Sequence, residues 1–96
     1  MKPLDYAAND DYTELIERYK KYPTETATLY KLGSYYLAHK DYELAIQRLQ
    51  GAVGDPFLRL PALKMLAEAY EANGMAKEAS DARDRLVREL GGDPER

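Results

Sequence analysis

The sequence predicts an all-α fold, a stack of antiparallel helical hairpins. Three observations carry this. Leu29, Leu32, Gly33, Tyr36, Ala38 and Ala45 are echoed 34 residues later by Leu63, Leu66, Ala67, Tyr70, Ala72 and Ala79. The echo holds in class and size as well as spacing, and fixed-period self-similarity means units that bury one another's apolar faces. Five segments carry helical periodicity between short breaks. No segment alternates with the two-residue period of a half-buried strand.

The elements follow in order. The first helix, about 11–21, carries Tyr12, Leu15, Ile16 and Tyr19, the i, i+3, i+4, i+7 stripe of an amphipathic helix. Asp10 or Asp11 is its expected cap, and Pro23 stops it. The second, about 25–39, has Thr24 or Thr26 as candidate N-cap. The third, about 42–53, is entered at Asp41 and left at Gly54-Asp55-Pro56. The fourth, about 58–73, holds Pro61 in its first turn, where the missing N–H matters least. Asn73-Gly74 supplies its left-handed stop. The fifth, about 76–90, ends at Gly91-Gly92, and residues 93–96 are expected to fray. A weaker echo at an offset of 30 aligns Tyr6-Ala7-Ala8-Asn9-Asp10-Asp11-Tyr12 with Tyr36-Leu37-Ala38-His39-Lys40-Asp41-Tyr42. The 96 residues therefore divide as one domain: a partial repeat over 6–23, a repeat over 26–59, and a repeat over 60–92 closed by a cap-like helix.

Composition narrows the function. A single domain of this length has no room for separate catalytic and regulatory parts. A net charge of −3 lacks the clustered Lys and Arg of a nucleic-acid binder. No cysteine is present, which removes disulfides and thiolate zinc sites. No apolar run approaches the roughly 20 residues of a membrane span. The opening residues lack a signal-peptide profile, so a cytoplasmic protein without membrane or nucleic-acid partners is expected. Nine tyrosines against one phenylalanine suit half-buried positions between helices or on a groove wall.

With Leu29, Leu32-Gly33, Tyr36, Ala45, Leu49 and Ala52 at these spacings, the repeat resembles the tetratricopeptide repeat (TPR). Leu29 stands where that family often has tryptophan, and Pro56 lies one residue before its helix-breaking proline. Leu63, Leu66, Ala67, Tyr70 and Ala79 fit the next unit. Arg83 falls where a bulky apolar residue is usual, and Leu86 where a small one is. The resemblance, covering about 6–90, implies a right-handed α-solenoid that serves as a protein-interaction adaptor or scaffold without cofactors. The physical logic beside it is that Gly33, Ala67, Ala45 and Ala79 let helices cross closely while Tyr36 and Tyr70 fill the space alongside.

By that resemblance the first helix of each unit lines a concave face. Its candidate partner-binding residues are Ala27, Tyr30, Ser34 and Leu37 (with Ala38), then Lys64, Glu68 and Glu71 (with Pro61 and Ala72). An aromatic, a leucine and a carboxylate pair suit a peptide or partner helix carrying apolar and basic residues. The plainer reading is a solvated face with Lys64 at i, i+4 from Glu68. Glu68 and Glu71 would repel a chaperone-tail carboxylate, which some family members clamp with lysines and asparagines.

Other residues carry no catalytic or metal site. His39, the sole histidine, has no partner ligand and reads as a solvated loop residue. Asp5, Asn9, Asp10 and Asp11 lack the glycine and distal glutamate of a calcium loop. Glu14 and Glu17 lie on a polar helix face. Gly51, inside a helix at a cost of about 1 kcal/mol, marks close approach of a neighbour. Tyr36 and Tyr70 read as core, Tyr12 and Tyr42 as seals of the inter-helix turns, and Tyr30 as the exposed aromatic. The fifth helix has an apolar stripe of Ala79, Ala82, Leu86 and Leu90 and a charged outer face, as a terminal cap has. The chain thus reads as a non-enzymatic protein-interaction module that binds a peptide or helix. The alternative is a self-assembling scaffold, a homo-oligomer joined through apolar helices or stack ends.

Overall fold

The computed structural model describes residues 10–91. Five helices follow one another: α1 Asp10–Lys21, α2 Thr26–Ala38, α3 Tyr42–Ala52, α4 Arg59–Ala72 and α5 Ala76–Glu89. Each described boundary falls within a residue of expectation, and no strand forms among the described residues. The N-terminal part of the partial repeat, Asp5, Gly92 and residues 93–96 lie outside them, while Asp10 and Asp11, expected as caps, are already the first residues of α1.

The two short turns that follow α2 and α4 are the same turn. After α2, the Lys40 N–H donates to Leu37 O at 3.0 Å and the Asp41 N–H to Tyr36 O at 2.9 Å. After α4, the Gly74 N–H donates to Glu71 O at 3.1 Å and the Met75 N–H to Tyr70 O at 2.8 Å. Both are Schellman stops, which satisfy the last carbonyls through one residue of positive φ. Gly74 supplies it at φ 79°, as expected, whereas its counterpart is Lys40 at φ 65°.

The helix starts differ from expectation. Neither Thr24 nor Thr26 caps α2; the N-cap is Glu25, with no side-chain capping bond. The Thr26 hydroxyl instead donates to Asp55 Oδ2 at 2.6 Å, because the α3–α4 loop brings a carboxylate within reach. Glu25 takes a two-pronged bond from Arg18, 2.6 and 2.8 Å, and a third from the buried Thr28 hydroxyl. These bonds, the Arg18 one foremost, lower its carboxyl from 4.5 to about 2. Asp41 is the α3 N-cap by backbone geometry, without a capping bond.

Close approach, seen at two reciprocal notches, pairs α2 with α3. A Cβ at Gly33 would meet Leu49 Cγ at 2.5 Å, and one at Gly51 would meet Leu29 Cδ1 at 2.7 Å. Each helix thus gives a glycine to receive the other's leucine, and the crossed order of the pairs makes the helices antiparallel. Leu32 and Leu49 are fully buried there, each worth about 1.5–3 kcal/mol in area removed from water. Ion pairs from Arg83 to Glu71 and from Arg59 to Glu89 show the same antiparallel order for α4 and α5. Further packing joins α3 to α4, α1 to α2, and α2 to α4, while α3 and α5 do not approach each other. The core of Leu32, Tyr36, Ala45, Leu49, Leu63 and Leu66 lies between α2, α3 and α4.

Alternating direction gives the stack two unlike ends. One end gathers the close of α1, α3 and α5 with the α1–α2 and α3–α4 loops. The other gathers their starts with the two Schellman turns. Arg18, Lys20 and Lys21 stand in the last turn of α1 and Arg88 in that of α5, whereas Glu43 and Glu78 stand in the first turns of α3 and α5. Acid at helix starts and base at helix ends suits the macrodipole. No helix of the described residues is long and apolar enough to cross a membrane.

Candidate functional site

The expected groove residues fall on α2 and α4 in two environments. Tyr30 and Leu37 are half-buried and pack against the core, so Tyr30 is less exposed than its pattern suggested. Ala27 and Ser34 open toward α1. Ser34 lines a groove of about 370 Å³ with Asp11, Glu14, Leu15, Lys31 and Tyr35. Ala27 lines a neighbouring one of about 360 Å³ with Arg18, Glu25 and Lys31. Lys64 and Glu68 are exposed on α4. Glu71 is bound to Arg83 of α5 at 2.5 Å, so its charge is directed at the chain's own last helix.

A third opening lies elsewhere, where α3 and α5 stand apart over α4. It is a cleft of about 330 Å³ lined by Val53 and Gln50 of the α3 end, Leu63, Leu66 and Tyr70 of α4, and Glu78, Asp81, Ala82 and Arg85 of α5. Leu63, Leu66, Val53 and Ala82 form its buried floor. Glu78 and Asp81 stand toward the start of α5 and Arg85 one turn further on. Lys77 holds Asp81 at 3.1 Å and Arg85 lies 3.7 Å from Glu89, both between exposed side chains, where such pairs contribute about 0–1 kcal/mol.

The repeat explains why the cleft is open. One seam earlier the Arg48 guanidinium lies over the Tyr19 ring, 4.5 Å from its centre, and bridges α1 to α3. Thirty-four residues on, Arg48 becomes Ala82, too short to bridge. Leu44 likewise becomes Glu78, and Gly51 becomes Arg85. A seam bridged by a side chain is thereby followed by one where Ala82 does not reach across and charged residues stand at the mouth.

No family model matches this chain, and neither a curated protein nor a solved structure does. The functional reading therefore stands on the chain's own residues.

Two of the aromatic expectations change. Tyr36 is buried as expected, but Tyr70 is half-buried, and its hydroxyl accepts a 2.8 Å bond from Gln50 at the cleft mouth. Its ring meets the cleft because α5 does not come across to cover it. His39 is half-buried rather than solvated, since as the α2 C-cap it stacks on Tyr35 with ring centres 4.3 Å apart. The turn before α1 that Tyr12 was expected to seal lies outside the described residues; Tyr12 itself packs on α2, stacking on Tyr35 at 5.1 Å and sharing a 3.0 Å hydroxyl bond with Tyr36. Burial raises the Tyr35 phenol above its ordinary value, with Tyr12 and Asp11 adding to the shift. Among the described residues no group of three or more His, Asp or Glu is placed to hold a metal ion.

The sequence reading passed over Phe57 and the cleft. Phe57 is 90% exposed, and a lone phenylalanine after Pro56 in a loop outside the echo was its available signal. The cleft's signal was the change from Arg48 to Ala82 at matching repeat positions.

Proposed function

We propose that this protein is a non-enzymatic protein-interaction module, a TPR-like right-handed stack of hairpins that binds a segment of another polypeptide. The antiparallel pairing of α2 with α3 and α4 with α5, and the packing of α2 on α4, support the stacked architecture. The docking surface is the α3–α4–α5 cleft. It accepts one apolar side chain on Leu63, Leu66 and Ala82, with a basic neighbour set against Glu78 and Asp81. The observation that carries this is a cleft of about 330 Å³ floored by Val53, Leu63, Leu66 and Ala82 between two helices whose backbones stay apart. Insertion of an anchor residue into a preformed apolar pocket with charged rims is how most binding energy is concentrated at interfaces.

Titrating isotope-labelled protein with short peptides, each one Phe or Leu flanked by Lys, tests the assignment. Amide shifts are expected at Val53, Leu66 and Ala82, with affinity falling about tenfold in Glu78→Lys/Asp81→Lys. Tyr30→Ala and Leu37→Ala, on the α2–α4 stripe of Ala27, Tyr30, Ser34, Leu37, Lys64, Glu68 and Glu71, are expected to leave it unchanged. If those two substitutions abolish binding and the Lys variant does not, the docking surface is the stripe and the cleft assignment is wrong.

A further inference from the structure

The large apolar side chains that stay exposed are not scattered. Among the described residues they are Tyr22, Phe57, Val87 and Leu90, and all four lie at the end where α1, α3 and α5 finish. The opposite end, with His39, Lys40, Asn73 and Gly74 in its turns, carries none of them. Phe57 is the extreme case, and it is held rather than loose. Asp55 Oδ1 accepts the Phe57 N–H at 2.8 Å, Asp55 Oδ2 accepts the Thr26 hydroxyl at 2.6 Å, and Asp55 O accepts the Leu58 N–H at 3.0 Å. Arg59 fastens the far side of the loop by donating to Val53 O at 2.9 Å. With the loop backbone that carries the ring already fixed, less entropy is lost on docking, a condition for a strong anchor.

The charges around Phe57 mirror those of the cleft. The loop runs Asp55, Phe57, Arg59, an acid and a base on either side of the ring, and its bond from Thr26 and then those from the loop backbone hold the Asp55 carboxyl below its ordinary value. The cleft, of about 330 Å³, carries its charges along the α5 wall, with Glu78 and Asp81 nearer the start of that helix and Arg85 one turn further on. In addition Lys20 and Lys21 share the Phe57 end, while Glu78 and Asp81 lie in the half of α5 nearer the other end.

We propose that the occupant of the cleft is Phe57 of a second copy of this chain, seated on Leu63, Leu66 and Ala82 with Arg59 toward Asp81 and Glu78 and Asp55 toward Arg85. This rests on the cleft being the docking site, and it names the partner. Each copy carries one plug and one seat, so the contact is heterologous and propagates head to tail unless its rotation closes a ring. A single ring and two charge pairs bury less than a standard interface, so the association is transient and concentration-dependent.

Sedimentation equilibrium of the full chain at rising concentration tests this. The weight-average mass is expected to climb with concentration for the native chain and for Phe57→Leu. It is expected to stay monomeric for Phe57→Ala, which keeps the cleft, and for Glu78→Lys/Asp81→Lys, which keeps the plug. Circular dichroism is expected to be unchanged in each, since all three positions are exposed. An equimolar mixture of the two monomeric variants retains one good contact, so it is expected to form a pair and grow no further. A monomeric native chain at every concentration overturns the inference, as does undiminished association of Phe57→Ala. If the lysine-flanked peptides bind the cleft while the native chain stays monomeric, the cleft assignment survives and the self-docking falls; if neither binds, both fall. Phe57-dependent binding to phosphatidylserine vesicles by a monomeric chain also overturns it, and assigns that end to a membrane surface instead.

Discussion

Replacing Gly33 with alanine measures how closely α2 and α3 meet, because two effects of opposite sign compete there. Alanine in a helix interior is favoured over glycine by about 1 kcal/mol. Against it, the new Cβ would lie 2.5 Å from Leu49 Cγ, 2.6 Å from Leu49 Cδ2 and 3.2 Å from the Leu49 nitrogen. Carbon atoms rest at about 3.5–4.0 Å, so Leu49 must retreat by about 1 Å. It has no free volume, being fully buried, and its own backbone stands behind the contact. Overpacking of this kind costs about 1–3 kcal/mol or more, and a clash involving backbone belongs at the upper end. The expected net loss is about 1–2 kcal/mol. For a domain of this size that lowers Tm by about 5–15 °C, read by thermal and urea unfolding. Gly51→Ala is the control: its Cβ would meet Leu29 Cδ1 at 2.7 Å but the next Leu29 atom at 3.7 Å. A terminal methyl can swing aside, so Gly51→Ala is expected within about 1 kcal/mol of the native chain. Adding Leu49→Ala to Gly33→Ala is expected to cost less than the sum of the two, since they share one contact. A Tm that rises on Gly33→Ala, as propensity alone dictates, would refute the close approach.

The turns and the Arg18–Glu25 pair give further tests. Lys40→Gly relieves a non-glycine residue at φ 65° and is expected to stabilise by about 1 kcal/mol. Gly74→Ala, at φ 79° with open space around it, is expected to destabilise by about 1–2 kcal/mol through strain alone; equal Tm values for both variants and the native chain would remove the Schellman assignment. The Glu25 carboxyl is lowered to about 2 by Arg18 first and Thr28 second. A depressed carboxyl contributes stability that is complete above its ordinary 4.5 and lost as pH falls toward 2. Glu25→Gln is therefore expected to flatten the fall of Tm between pH 4.5 and 2, and identical acid limbs would show that the pair does not couple to folding.

The helices were legible because their signals are local: apolar stripes, Pro23, Pro61, Gly74 and Gly91 act within a few residues. Gly51 was legible because a glycine inside a helix needs a neighbour to justify it, and Leu29 is that neighbour. The caps were not. Thr26 is a good N-cap type, yet Asp55 lies 29 residues away, and no local pattern announces it. Tyr70 and His39 were misplaced for a related reason, since each sits where its own helix permits either burial or exposure and the next helix decides. The cleft depends on two helices whose backbones stay apart, so a comparison of side-chain reach across the repeat is what exposes it.

That comparison separates what builds the stack from what the stack can offer. Positions that echo, Leu29 with Leu63 and Ala45 with Ala79, are buried in both units and keep hairpins together. Positions that break the echo fall on both α4 and α5, and three on α5 bear on the cleft and the groove: Leu49 becomes Arg83, Leu44 becomes Glu78 and Arg48 becomes Ala82. The first change turns a core knob outward into an ion pair with Glu71 and removes that carboxylate from the expected groove. The second puts a charge at the cleft mouth, and the third leaves a short side chain in its floor. A drift of α5 toward a mere polar cap would have made the exposed face uniformly charged. Instead the change from Arg48 to Ala82 sets a short side chain at the cleft beside the buried Leu63 and Leu66, and this joins a loss of reach at the last helix to an opening with an apolar floor.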